Sequence, residues 1–226
     1  MCIRDSHNAI FYNPAALSRN DEWKLRLFIS PTLDLDILDF VDDAEVALDT
    51  PDADKPTAVT NLLSEYAGEF YHARVIGPSA IWTRKNWGVA FIPLNFQAST
   101  QINAVAGFEL KLDAHLDSTL AVSYANDVDW LGPAHWLSYG VTLKAVNRAS
   151  VVKAINSTDL AQRSDFFDLG EDSYEGMTVD FDFGFVWTPK ISADSFWRYF
   201  EPTLAFSVKN VVDYGFPIKL GLISDN

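Results

Sequence analysis

Residues 23–35 read W-K-L-R-L-F-I-S-P-T-L-D-L, with apolar side chains at almost every odd position and Lys24, Arg26, Ser30, Thr32 and Asp34 at even ones. Successive side chains of a strand point to opposite faces, so this is a ribbon with one apolar face and one charged face. The period returns along the chain. Leu137, Tyr139, Val141, Leu143 and Ala145 alternate with Ser138, Gly140, Thr142 and Lys144, and Val179, Phe181, Phe183, Phe185 and Trp187 alternate with Thr178, Asp180, Asp182 and Gly184. A half-buried strand of a soluble sheet and a wall strand of a membrane barrel share this pattern. The question is which solvent the apolar face meets.

Composition removes several answers. Hydrophobic residues make up 48% and aromatics 14%, too rich for a disordered chain. Lys and Arg total 17 against 31 Asp and Glu, a net charge of -14, and this field repels a phosphate backbone, so nucleic acid is not an expected partner. No run approaches the ~18–20 apolar residues of a spanning helix, so a membrane location implies a barrel. Residues 1–6, M-C-I-R-D-S, hold the only cysteine and resemble nothing after them; they are read as a non-native segment ahead of a single domain over 7–226. No signal peptide is visible, and the chain stops straight after a strand-like run at 218–223. In a complete protein the first feature argues for the cytoplasm; the second supports a domain truncated at one or both ends, whose true start is then missing.

Residues 9–18 are expected as a turn or short helix entry, because the residue before Pro14 is biased away from the helical region. Alternation places strands at 22–37, 70–83, 87–98, 104–112, 118–126, 136–148, 177–188 and 202–211, with the start of a ninth after them. Arg84, Lys85 and Asn86 make a tight hairpin turn. Residues 38–55 read as an acidic connection, 60–67 as a short helix and 149–176 as a long polar connection. The predicted fold class is therefore all-β: an incomplete antiparallel up-and-down transmembrane β-barrel, with a short N-terminal helical segment and one short helix in a loop. This strand count puts the 38–69 connection at the rim opposite the hairpin turn and the 149–176 connection at the same rim as that turn.

The polar faces carry Lys24, Arg26, Asp34, Glu109, Lys111, Lys144, Arg148, Asp180, Asp182 and Lys209. An unpaired charge cannot be buried without a large penalty, so these residues are expected to line a water-filled interior. A soluble two-sheet sandwich with the charges outside explains the alternation too. Two features favour lipid. Trp23, Tyr71, Trp82, Trp87, Tyr124, Trp136, Tyr139, Trp187, Trp197 and Tyr199 fall near strand ends, as at a membrane interface, and the bulky apolar faces have few helices to cover them.

Candidate chemistry is sparse. His7, His72, His115 and His135 are dispersed, without metal-ligand spacing, so no metal site is assigned. The pairs Asp34/Asp36 and Asp180/Asp182 each put two carboxylates on one strand face, read as hydrated charge in preference to a cation site. Ser79, Ser123 and Ser138 lack a marked base, so no catalytic residue and no cofactor is assigned, and the chain is not read as an enzyme.

The segment F-Y-N-P-A-A-L at 11–17 resembles the Asn-Pro-Ala entry segment of FadL-type outer-membrane barrels. Residues 81–91 (I-W-T-R-K-N-W-G-V-A-F), 139–148 (Y-G-V-T-L-K-A-V-N-R), 179–189 (V-D-F-D-F-G-F-V-W-T-P) and 204–210 (L-A-F-S-V-K-N) resemble successive strands of that superfamily, including its conjugal-transfer TraF-like branch. The resemblance runs from about Ala9 to the end. It implies a monomeric barrel of roughly fourteen strands in a bacterial outer membrane, with membrane lipid around it. It further implies uptake or handling of hydrophobic small molecules such as long-chain fatty acids. In related branches it implies a structural barrel associated with conjugation or secretion components. Phe11, Tyr12, Asn13 and Pro14 are the expected ligand gate, on a segment folded inside the barrel; the alternative is a rigid turn that starts the first strand.

Overall fold

The computed structural model describes residues 8–103, 109–128, 135–157, 159, 173–189, 200, 202–212 and 214–218. Residues 1–7, Trp197, Tyr199 and the run at 219–223 lie outside them, as does the side chain of His135. Seven antiparallel strands form one sheet in chain order: β1 (Lys24–Leu33), β2 (Phe70–Arg84), β3 (Trp87–Asn103), β4 (Glu109–Val128), β5 (His135–Asn156), β6 (Tyr174–Pro189) and β7 (Leu204–Val208). The topology is an up-and-down meander, and β1 and β7 are the edges of the described sheet. Ahead of β1 stand α1 (Ala9–Tyr12) and a 3-10 helix (Pro14–Arg19), while α2 (Asp36–Leu48) and α3 (Lys55–Glu65) stand between β1 and β2. Among the described residues no helix is long and apolar enough to cross a membrane.

Several expected boundaries move. The strands expected at 104–112 and 118–126 are one element, β4, whose residues Asp113–Asp117 stay in register with Val152–Arg148 of β5. Polar residues there do not break the strand because they lie on its polar face, where Asp117 meets Arg148. The strand β5 runs on through Ala149–Asn156, a stretch expected as a connection, with Ala149, Val151 and Ile155 keeping the period around Lys153. With one strand fewer, the connections 34–69, 104–108 and 157–173 all join strands at one end, called here the helix end. The Lys85-Asn86 turn and connections 129–134 and 190–203 join them at the other, the turn end. The connections 34–69 and 157–173 thus share one end, where the strand count from sequence put 38–69 and 149–176 at opposite rims.

The acidic connection expected at 38–55 is largely helical. Phe40, Ala44 and Ala47 recur at helical spacing and are buried, a period obscured because acidic residues and Leu38, Val41 and Val46 share the exposed side. Asp36 and Asp39 in the first turn of α2 complement its dipole. The helix α3 starts at Lys55-Pro56, five residues earlier than expected, and proline is tolerated in a first turn. Because α2 begins at Asp36, β1 ends at Leu33, and Asp34 and Asp36 do not share a strand face.

Register assigns the faces. Cross-strand partners point the same way, so Lys24, Arg26 and Phe28 share a face with Thr83, Ile81 and Ser79 of β2. Beyond the bulge between Phe28 and Ser30, Ser30 and Thr32 oppose Ile76 and Arg74, so β2 exchanges its odd for its even residues across Gly77-Pro78. The strand β3 makes the same exchange opposite it, between Ile92 and Asn95, where Ser118 Oγ donates to the Pro93 carbonyl at 2.6 Å. The paired bulges keep one polar face continuous. Across β1–β5 it holds Lys24, Arg26, His72, Arg74, Glu109, Lys111, Asp113, His115, Asp117, Lys144 and Arg148. The β6 residues Asp180 and Asp182 join it opposite Lys144 and Thr142.

The two faces are covered at opposite ends. On the polar face near the turn end, Ala9, Ile10, Ala16 and Leu17 pack on Ile81, Ala90, Ala121 and Ala125, with Phe11 and Phe28 beside them. On the apolar face near the helix end, Phe40, Ala44, Ala47, Val59, Leu62 and Leu63 pack on Tyr71, Ile102, Leu110 and Ile155. The Phe40 ring stacks on Tyr71 at 5.5 Å and meets Tyr66 edge-on at 5.2 Å. The Tyr66 hydroxyl donates to Asp43 at 2.6 Å, tying α3 to α2, and that carboxylate pushes the phenol above its ordinary range. Tyr71, expected at a rim, is therefore a buried core residue.

Candidate functional site

The N-terminal segment sits on small residues. In register across the sheet, Gly88, Ser123 and Thr142 form one row and Ala125, Gly140 and Gly184 the next. A Cβ added at Gly140 collides with the backbone of Pro14 and Ala15, one at Gly184 with Asn13, and one at Gly88 comes within 2.8 Å of Ile10. At Gly140, where the opposing atoms are backbone, only glycine allows so close an approach. Hydrogen bonds complete the attachment. Thr142 Oγ1 donates to the Ile10 carbonyl at 3.0 Å, and its oxygen also lies 2.7 Å from Ser123 Oγ. Asn13 Nδ2 donates to the Phe185 carbonyl at 3.1 Å, while its Oδ1 accepts from Ala15 N and caps the 3-10 helix.

The far end of the segment is fixed at the hairpin turn. Asn86 takes a left-handed φ of 67°, and its N–H donates to the Leu17 carbonyl at 3.1 Å. Asn20 donates to Thr83 at 3.2 Å, and Arg19 donates to Thr188 at 2.8 Å while lying 5.1 Å over the Trp136 ring. Trp136 consequently belongs to the polar face, away from the aromatic positions expected at a lipid interface.

Charged residues beside this segment form two groups. Lys144 Nζ donates to Asp182 at 2.7 Å and to Asn210 Oδ1 at 2.7 Å, and Asp182 Oδ1 also accepts from Asn210 N at 2.9 Å. Asp180 accepts from Val212 N at 3.0 Å and from Phe181 N at 2.7 Å. The two carboxylates thus fasten the chain where it leaves β7, with Asn210 itself in a left-handed conformation. In the second group Arg148 pairs with Asp117 through Nε at 2.6 Å and Nη2 at 2.7 Å and lies 5.0 Å over the Phe216 ring.

The expected site residues divide accordingly. Phe11 packs into the buried cluster, and Tyr12 is exposed with Lys209 Nζ 5.0 Å over its ring. Asn13 and Pro14 rest on Gly184 and Gly140. The structure brings Lys144, Asp180 and Asp182 together. Lys24 and Arg26 stay apart on the edge strand, Arg26 lying 5.1 Å over Phe28, and Glu109 and Lys111 stand near the helix end opposite Asn156 and Ala154. Asp34 is past the end of β1, where its N–H donates to His72 O. Sequence reasoning missed the seat made by Gly140, Gly184 and Thr142, although these residues already alternate with the apolar face in β5 and β6. It also missed Asn210 and Phe216, which carry no pattern.

The three candidate serines each hold a hydrogen bond of their own. Ser79 Oγ donates to the Gly77 carbonyl at 2.9 Å, Ser123 shares its hydrogen bond with Thr142, and Ser138 donates to Asp127 at 2.7 Å. Among the described residues, no three of His, Cys, Asp and Glu group as metal ligands would. Compared with known proteins, the chain matches no family model, no curated protein and no solved structure.

Proposed function

We propose that this chain forms part of the wall of an outer-membrane β-barrel that handles hydrophobic small molecules, with residues 11–14 as its gate. The observation that carries the reading is a single meander sheet with unlike faces. One face presents exposed Leu27, Phe91, Leu120, Leu143, Phe185 and Phe206, and the other collects the charges and the N-terminal segment. A soluble sheet covers such an apolar face with a second layer. All seven strands belong to one sheet, so a two-sheet sandwich lacks its second sheet among the described residues.

The way the segment is held supports the gate. It lies across the polar face on glycines, through a few hydrogen bonds and one small apolar cluster, and it is joined to β1 by a short link. The contacts that hold it, such as Asn13 to Phe185 O, Thr142 to Ile10 O and Asn86 N to Leu17 O, lie outside the strand-to-strand ladder, so displacing it breaks no ladder hydrogen bond. A hydrophobic solute would be selected by apolar contact with Phe11, Phe28 and Ile81, with no covalent step. Heat-modifiable migration in detergent gels tests the barrel, and saturable binding of a long-chain fatty acid to protein reconstituted in lipid vesicles tests the ligand class. Absence of saturable binding in a heat-modifiable protein argues for the alternative, a structural barrel beside conjugation or secretion machinery.

A further inference from the structure

We infer that hydrocarbon meets only the turn-end half of the apolar face, and that at the helix end the α2–α3 pair takes the place of lipid, so that the sheet projects into water there. The inference rests on the membrane reading above and adds where the membrane stops.

Strand length requires such a boundary. The strand β4 has 20 residues and β5 has 22. A tilted strand crosses the hydrocarbon layer in ~9–11 residues, so about half of each must lie outside it. Burial shows which half. On the turn-end side of the apolar face Leu120 is 48% exposed and Leu143 43%, while on the helix-end side of that face Leu110 is 1% and Ile155 2% exposed. The change falls near Leu116 on β4 and Asn147 on β5.

Charge changes at the same level. On the apolar face of β3–β6 the turn-end half holds no Asp, Glu, Lys, Arg or His among the described residues, whereas the helix-end half holds Lys153 and Glu175. Glu175 is buried there and accepts from Asn147 Nδ2 at 2.8 Å. A carboxylate facing lipid would lack water to solvate it; buried here, it is met by the Asn147 amide N–H. At the turn-end limit of the band stand Trp87, packed edge-on against Tyr124 at 4.9 Å, and Trp82, with Arg84 5.9 Å from its ring. Aromatic rings with a cation beside them suit the headgroup level. The outer side of α2 carries Asp39, Asp42, Asp43 and Glu45 interleaved with exposed Leu38, Val41 and Val46, a charge density that the turn-end band lacks.

The test uses the full chain with Cys2→Ser as background and one nitroxide label per variant, reconstituted in phospholipid vesicles. Labels go at Val122→Cys, Leu143→Cys and Phe183→Cys in the band and at Val46→Cys on the exposed side of α2. The expected result is relaxation by oxygen well above that by a water-soluble nickel chelate at the three band sites, with the order reversed at Val46. A lipid signature at Val46 as well as in the band overturns the inference and leaves the membrane reading standing. A water signature at all four sites overturns both. Leu120→Cys and Phe185→Cys replace any band variant that fails to incorporate.

Discussion

Arg148 of β5 donates to both carboxylate oxygens of Asp117, the residue directly opposite on β4, at 2.6 and 2.7 Å. Parallel donation of this kind fixes direction as well as distance, and lysine cannot reproduce it. Asp117→Asn is expected to lower stability by about 1.5–3 kcal/mol, the range for hydrogen bonds to charged groups, and Arg148→Lys to retain little of the pair. Denaturant midpoints measure both. A wild-type midpoint for Arg148→Lys would show that the forked geometry contributes nothing.

Lys144 and Asp182 are both largely buried, and each depends on the other and on Asn210. Removing one charge strands its partner, which typically costs ~3–5 kcal/mol, while removing both in matched size costs much less. Asp182→Leu with Lys144→Met should therefore be more stable than Asp182→Leu alone. Asp182→Asn should also expose residues 209–212 to hydrogen exchange. Unchanged exchange there would remove the fastening role of the carboxylate.

Gly140→Val places two methyls where the Pro14 and Ala15 backbone runs. Overpacking of this kind costs ~1–3 kcal/mol, and here it acts mainly on the N-terminal segment. The expected outcome is faster proteolysis within residues 9–20 with the sheet still folded. A digestion pattern identical to wild type would mean that the segment is not seated on this glycine.

The two faces predict opposite responses to one substitution. Val122→Arg, in the apolar band, should cost ~2–4 kcal/mol in folding into lipid vesicles if the position lies near the bilayer midplane. Val152→Arg, on the polar face where Val152 is 78% exposed, should cost almost nothing. Equal effects of the two substitutions, or a Val122→Arg variant that folds as well as wild type, would count against a lipid-facing band.

Tyr66 is predicted to make the α2–α3 contact sensitive to alkali. Its phenol donates to Asp43, and the carboxylate raises its pKa above the ordinary value near 10. The folded chain then holds this proton more tightly than the unfolded one, so the contribution is complete below pH ~10 and declines as pH rises through the folded value. Helical circular dichroism followed upward from about pH 9 should fall more steeply in wild type than in Tyr66→Phe. Parallel curves would show that the Asp43 contact does not couple to the helix pair.

Legibility in the sequence followed periodicity. The alternation around Leu137–Leu143 and Phe181–Trp187 located the turn-end parts of β5 and β6, because over those stretches one face is uniformly apolar. It failed where the face changes character along a strand. Residues 113–117 and 149–156 lie where the apolar face passes beneath the helix end, so polar residues appear among the apolar ones without breaking a hydrogen-bond ladder. The helix α2 was hidden for the converse reason: its buried stripe of Phe40, Ala44 and Ala47 is narrow, and the rest mixes acidic residues with apolar ones such as Leu38, Val41 and Val46.

Alternation alone establishes that the chain builds amphipathic strands, because a two-residue period sends neighbouring side chains to opposite faces. Tertiary structure alone decided which charges meet, that Gly140 and Gly184 seat the N-terminal segment, and that two bulges on neighbouring strands keep the polar face unbroken from Lys24 to Asp182. Those are properties of register, and register is set between residues far apart in the chain, where no local pattern records it.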